Sequence, residues 1–422
     1  MSHIVELLAV GTELLLGNTA NTDAQMLSQE LSALGLNVYY HSVVGDNPER
    51  LRRAVELAMS RADVLITTGG LGPTCDDLTK RVVAEAFGKK LVYHSECARA
   101  IRDYFAVSGR VMTDNNLQQA WLPEGCAILE NRWGTAPGCA FQSGENYVVM
   151  LPGPPRECLP MFREEAAPWL ARLSEGVIRS RTLRVFGWGE SQVESLLRER
   201  MDGLANPTLA PYAKEGEMEL RVTAKATDER TAEALIAPVE REVRAVLGGL
   251  IYGTGEDSLE KVVLEGLRAR GLTLGTAESC TGGLLAKRLT DLPGASAVFR
   301  GGVVSYTNGV KAGVLGVPQT LLDEQGAVCA DVARAMAQGA RRVLGCDVAV
   351  ATTGVAGPDS DERGNPVGLV YVAMAAPDGC WVRELHLGGA RERRDRVRTL
   401  AANHAFDMVR RWLTGLEIER VE

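Results

Sequence analysis

A chain of 422 residues, 45% hydrophobic and 24% charged, has the composition of a globular protein with room for two to four domains of about 150 residues. Its net charge of −8 argues against a general nucleic-acid or membrane-surface binder, and no apolar run reaches the roughly 18 residues that span a bilayer. Nine cysteines without a CxxC pair and five histidines without ligand spacing point to reduced thiols, not a disulfide framework or a zinc site. A cytoplasmic α/β protein is the expectation.

The predicted elements begin with a strand at His3 to Val10; Met1 to Val10 has no basic region or cleavage site. Helical periodicity follows over Thr22 to Leu34, a strand over Asn37 to Val44, a helix over Pro48 to Ser60 and a strand over Val64 to Thr68. This βαβαβ rhythm implies a parallel sheet covered on both faces, with ligands bound outside the carboxyl ends of its strands. Two polar loops fall at such ends. One is Gly11-Thr12-Glu13, and the other runs from Gly69 to Thr79 with Gly69, Gly70, Gly72, Thr74, Asp76 and Asp77. Glycines at a strand end can offer N–H groups to a phosphate. Asp76 and Asp77, with Glu13 as a third acid at the same edge, could hold a divalent metal that bridges to phosphate oxygens. A glycine turn with an Asp helix cap is the simpler alternative. A further strand at Tyr147 to Leu151 runs into the turn Pro152-Gly153-Pro154-Pro155.

Arg181 to Val185, a helix at Ser191 to Met201, Met218 to Ala226 and a helix near Thr231 to Leu247 make a small α+β unit. Gly248-Gly249 and Gly253-Thr254-Gly255 read as a linker. The last unit alternates again: helix 258–270, strand 272–277, helix 281–291, strand 298–305, helix 331–344, strands 347–352 and 367–375, helix 391–413. Its most informative run is Ala277-Glu278-Ser279-Cys280-Thr281-Gly282-Gly283, at a strand-to-helix turn. A hydroxyl there is exposed beside backbone N–H groups and the positive end of a helix, which suits acyl transfer. Gly282 and Gly283 would let a substrate approach the backbone. Helix capping by Ser279 or Thr281 is the competing reading.

GTELLLGN (11–18), TTGGLGPTCDDLT (67–79), GTAPG (134–138) and LPGPPRE (151–157) resemble the N-terminal domain of the CinA family of competence/damage-inducible proteins. The resemblance implies a three-domain α/β chain. Residues 1–170 would form a molybdopterin-binding-like domain, 176–250 a small KH-like α+β domain, and 256–416 an α/β amidase domain. It implies metal-dependent ADP-ribose pyrophosphatase activity in the first domain, and Asp77 matches an Asp shared with molybdopterin binders. The family's NTN reads Asn21-Thr22-Asp23 here, and Gln118 stands where a basic residue is usual. The middle domain has neither a GxxG clamp nor a basic run, so no RNA role is expected.

AESCTGG is similar to the signature of the nicotinamide-nucleotide amidase (PncC-type) domain of the same family. The segments 305–311, 353–358 and 366–371 agree with it. The resemblance implies hydrolysis of nicotinamide mononucleotide to nicotinate mononucleotide and ammonia, with Ser279 as nucleophile; Cys280 is a rival. With no histidine near these loops, the base falls to a lysine whose pKa burial lowers. Lys311 is the candidate, giving a Ser-Lys dyad with Tyr306 as relay or orienting hydroxyl. Thr353 is counted with the catalytic set, and Gly354, Ala356 and Gly357 are expected to present N–H groups to an oxyanion or phosphate. The basic run Arg391, Arg393, Arg394, Arg396, Arg398 reads as a solvated face, with Arg394 and Arg398, four apart on one helix face, as candidate phosphate ligands. The segment 359–365 is acidic where the family has a shorter turn.

The expectation is a bifunctional hydrolase needing a divalent cation for the pyrophosphatase and no cofactor for the amidase. Its partners would be nicotinamide mononucleotide and ADP-ribose, with no membrane or nucleic acid, and it would form a homodimer. The alternatives are a non-catalytic nucleotide-binding protein linked to competence or DNA damage, and a molybdopterin-binding protein.

Overall fold

The computed structural model describes residues 3–74, 76–109, 111–173, 176–388 and 393–420. Cys75 of the glycine loop and Arg391 of the basic run lie outside the described residues. The chain divides into two compact units, Met1–Arg179 with Ala224–Ala234, and Ser180–Thr223 with Leu235–Glu422.

The first unit is built on β1 (Ile4–Val10), α1 (Thr22–Ala33), β2 (Asn37–Val44), α2 (Pro48–Met59), β3 (Val64–Thr68), α3 (Thr79–Ala86), β4 (Ala127–Leu129), β5 (Gly138–Ser143) and β6 (Asn146–Leu151). The sheet order is β2-β1-β3-β6-β5-β4. β2, β1, β3 and β6 run parallel, as the βαβ rhythm predicts, while β5 and β4 are antiparallel additions that the sequence pattern did not show. All five residues of β3 are buried, because separate apolar clusters cover the two faces of the sheet. Local signals set the helix starts. The Asn47 side chain accepts from Arg50 N at 3.0 Å, and Pro48 occupies the first turn of α2.

The small sheet has the order β8-β9-β7-β10, from β7 (Val177–Val185), β8 (Thr208–Lys214), β9 (Glu217–Ala226) and β10 (Ile251–Thr254). Two helices accompany it, α4 (Glu190–Gly203) and α5 (Glu229–Leu247). The segment read as a linker is therefore in part an edge strand. Ile251 and Tyr252 are buried, and Ile251 pairs with Val185, so two apolar side chains outweigh the flanking glycines.

The last sheet has the order β12-β11-β13-β14-β15. Its elements are α6 (Leu259–Ala269), β11 (Leu274–Glu278), α7 (Leu284–Thr290), β12 (Phe299–Val304), α8 (Asn308–Gly313), α9 (Gln319–Gln325), α10 (Ala330–Leu344), β13 (Val348–Gly354), β14 (Leu369–Ala376), β15 (Gly379–His386) and α11 (Arg394–Thr414). β11 lies parallel to β12 and β13; β14 and β15 continue the sheet antiparallel. Two clusters fill its faces, one with α6, α7 and α11, the other with α10 and the α8–α9 region. No helix among the described residues is long and apolar enough to cross a membrane.

One buried charge cluster cross-links the second unit. Asp407 on α11 accepts from Arg383 of β15 at 3.0 Å and from Arg410 and Arg411 at 2.8 and 3.2 Å. The same arginines donate to the carbonyls of Ile418, Gly249 and Glu417. All four charged side chains are buried, so removing the shared acceptor leaves cations without their counter-charge. Asp407→Asn is expected to lower the unfolding free energy by about 3–5 kcal/mol, read from urea denaturation. An unchanged midpoint would show that the cluster does not hold the unit together.

Candidate functional site

In the last domain, Ser279 follows β11 directly, and its N–H donates to Thr352 O on β13 at 2.9 Å. The chain leaving β12 brings Ser305, Tyr306 and then α8 alongside. Lys311 Nζ lies 3.0 Å from Ser279 Oγ, 2.9 Å from Ser305 O and 3.5 Å from Tyr306 O. Lys311 is only 1% exposed, and burial pushes its amine down to about 8. An amine so shifted is neutral often enough near neutral pH to take a proton from an adjacent hydroxyl. The rival Cys280 is also buried, which pushes its thiol up to about 11, and it has little thiolate character.

These residues open into a cavity of about 840 Å³. Its walls include Ser279, Lys311, Tyr306, Thr353, Gly354, Ala356 and Arg394, and the acidic segment contributes Ser360 to Arg363. Arg363 anchors that segment by donating to the carbonyls of Asp323 and Glu324 at the end of α9.

Several expected roles change on contact with the geometry. The Tyr306 hydroxyl accepts from Arg394 Nη2 at 2.9 Å and it is the Tyr306 carbonyl that meets Lys311, so the geometry gives the hydroxyl to the guanidinium and not to the dyad. Thr353 Oγ1 donates to Ala327 O at 2.6 Å, which commits its proton to the backbone. Arg394 Nη1 donates to Gly357 O at 2.6 Å, so the carbonyl of Gly357 is turned to the guanidinium. Arg398 donates to Thr281 O through Nη2 at 2.6 Å; it braces the nucleophile loop, whereas Arg394 faces the cavity. Gly282 and Gly283, absent from the cavity wall, adopt φ of +58° and +93°, so their freedom shapes the turn. The start of α7 is not open to an anion either, because the Glu278 carboxylate occupies it. The pattern did not single out Glu278; a glutamate one residue before a strand-end serine was its only signal.

The first unit has its own cavity, of about 630 Å³, at the carboxyl ends of β1, β3 and β6. Gly69, Gly70, Gly72, Glu13, Asp76 and Asp77 all line it. Gly69 and Gly70 have φ of +91° and +67°, and a Cβ on either would strike Val10 O or Thr79 Oγ1. Asp77 is spent on the loop: Oδ1 accepts from Gly72 N at 2.8 Å, and Oδ2 from Thr74 N and Thr74 Oγ1 at 2.8 and 2.7 Å. Thr74 is thus a brace, outside the cavity wall. Glu13, Asp76 and Asp77 share the cavity without closing into a ligand set. Among the described residues no three His, Cys, Asp or Glu side chains come together as a metal site. Asp23, noted in the sequence only as a departure from the family's NTN, lines the cavity, and burial pushes its carboxyl up to about 6. The sequence pattern did not point to Lys80, whose buried amine donates to Gln118 O and Gln119 O.

Three family models match the chain. They are the CinA C-terminal domain over residues 256–413, the probable molybdopterin binding domain over 6–172 and the damage-inducible protein CinA KH domain over 180–253. A CinA-like protein of Dictyoglomus turgidum is 47% identical over 411 residues, covering 97% of this chain and 99% of that protein. A CinA-like protein of Kosmotoga olearia is 46% identical over 411 residues, with the same coverage. Among solved structures, competence/damage inducible protein CihA from Agrobacterium tumefaciens is 38% identical over 37% of this chain and 93% of its own, with a TM-score of 0.35.

The brace assigned to Asp77 has a direct readout. In Asp77→Ala the amides of Gly72 and Thr74 are expected to exchange at least about tenfold faster than in the wild type, measured by hydrogen-exchange mass spectrometry. Equal exchange would remove Asp77 from that role.

Proposed function

The chain belongs to the CinA family, and on that footing we propose that its last domain is a serine amidase that deamidates nicotinamide mononucleotide. The observation that carries this reading is the 3.0 Å contact between Ser279 Oγ and the buried Lys311 Nζ. Neutral Lys311 takes the hydroxyl proton as Ser279 Oγ attacks the carboxamide carbon. The tetrahedral intermediate then collapses, the C–N bond breaks, and the Lys311 ammonium returns the proton to the departing ammonia. Water then attacks the nicotinoyl ester left on Ser279 and gives a proton to Lys311; as the acyl C–Oγ bond breaks, the Lys311 ammonium returns that proton to Ser279 Oγ and nicotinate mononucleotide leaves. Arg394, in the cavity wall and held by Gly357 O and Tyr306 Oη, is the group suited to the substrate phosphate.

For the first domain we propose hydrolysis of the ADP-ribose pyrophosphate. Support comes from the glycine-rich loop and the carboxylates around one cavity. The residues fit a divalent cation in the way magnesium accompanies phosphates, held by one or two carboxylates and the substrate's own oxygens. Glu13 and Asp76 are the side chains that would hold it, since Asp77 serves the loop. When bound, the cation neutralises charge developing on the phosphates.

Ammonia release from nicotinamide mononucleotide is expected from the wild type and to fall by at least about 1,000-fold in Ser279→Ala and Lys311→Met. Retention of near-normal rates in either variant would refute the dyad. Because Lys311 acts unprotonated and titrates at about 8, log kcat/KM is expected to fall by about one unit per pH unit below that value and to level off above it. A flat profile between pH 6 and 9 would argue for another base. Hydrolysis of ADP-ribose is expected to stop after chelation and to resume on adding a divalent cation; an unchanged rate in chelator would exclude the metal.

A further inference from the structure

Glu278 closes the start of α7 from inside the protein. It is the last residue of β11 and 1% exposed. Its Oε2 accepts from Gly283 N at 2.9 Å, Leu285 N at 3.0 Å and Thr281 Oγ1 at 2.8 Å, and its Oε1 accepts from Ala286 N at 2.9 Å. Thr281 Oγ1 in turn meets Thr352 Oγ1 of β13 at 2.7 Å. The main chain of the same residue is held too, since Ser305 N donates to Glu278 O at 2.8 Å. Glu278 thus joins the nucleophile loop, the first turn of α7, β13 and the segment that leads to Lys311.

Alternation along the strand gives this clamp a consequence for Ser279. Successive side chains of a strand point to opposite faces. Leu274 and Cys280 belong to the apolar cluster on the α7 face, and Ala277 belongs to the cluster on the α8–α10 face. Glu278 shares the face of Leu274 and is tied to α7; the following residue is thereby turned to the other face, where α8 presents Lys311.

We propose that Glu278 is a positioning residue that aims the Ser279 hydroxyl at Lys311. The assignment rests on reading Ser279 as the amidase nucleophile. It predicts an effect on turnover and not on substrate affinity, because Glu278 does not line the cavity. In Glu278→Gln the side-chain amide faces three N–H donors with a single acceptor. Its kcat for nicotinamide mononucleotide is expected to fall by about 100-fold, the effect of a nucleophile displaced by an ångström, while KM stays within about threefold. Labelling of Ser279 by a fluorophosphonate, followed by mass spectrometry, is expected to slow in parallel. Thr281→Val, which removes one donor and keeps the carboxylate, should show a smaller loss in the same direction and replaces Glu278→Gln if that variant does not fold.

The outcomes separate the two readings. Unchanged kcat and labelling in the variants, with an active wild type, would overturn the role of Glu278 and leave the amidase intact. A rise in KM at constant kcat would make Glu278 a binding residue and equally overturn it. If the wild type releases no ammonia, the amidase reading falls and labelling alone decides. Rapid labelling of wild-type Ser279 that slows in the variants supports the positioning role, and equal or absent labelling refutes it.

Discussion

A lysine amine withdrawn from water and placed against a serine hydroxyl is the constraint on which the last domain depends. In bulk water the amine would be protonated and useless as a base; at 1% exposure the loss of hydration disfavours its charged form, while two carbonyls and the Ser279 hydroxyl fix its position. Holding it there requires three separately folded pieces to meet: the end of β11, the turn after β12 and the short helix α8. Parallel pairing of β11 with β12 and β13 brings those ends to one edge, the place where open α/β sheets generally bind their ligands.

Both units solve the same local problem with the same device. A glycine-bearing loop at the carboxyl end of a parallel strand exposes backbone N–H groups that need acceptors. In the first unit Asp77 turns back on Gly72 and Thr74; in the second Glu278 reaches Gly283, Leu285 and Ala286. Each acid satisfies its own loop and so gives up being a ligand for something else. This is why acidic residues beside glycines in these segments are poor indicators of a metal or an anion site until their partners are known.

Charge burial also organises the second unit away from its cavity. Asp407 gathers three guanidiniums that reach the carbonyls of Gly249, Glu417 and Ile418. The hydrogen bonds thereby connect β15 and α11 to the end of the small sheet and to the segment after α11. The His404 imidazole beside them is driven down to about 4, by its burial first and the nearby Arg383 second. A neutral ring is what so positive a neighbourhood favours.

The sequence by itself determined whatever depends on neighbours along the chain. The βαβ rhythm, the buried runs of β3 and β11 and the glycine turns after Thr68 and Cys280 were legible because periodicity and backbone freedom are local properties. The motifs led to Ser279 and Lys311 as a pair. Tertiary structure alone decided what those residues touch. It turned Ile251 and Tyr252 from linker into edge strand, since pairing with β7 requires a partner far away in the chain. It gave the Tyr306 hydroxyl to Arg394, that of Thr353 to Ala327 O, Arg398 to the nucleophile loop and Asp77 to its own turn. Hydrogen bonds of this kind join residues far apart in the chain, Arg398 to Thr281 across 117 positions and Arg410 to Gly249 across 161, and no spacing rule encodes a side chain's choice among donors and acceptors that only folding assembles.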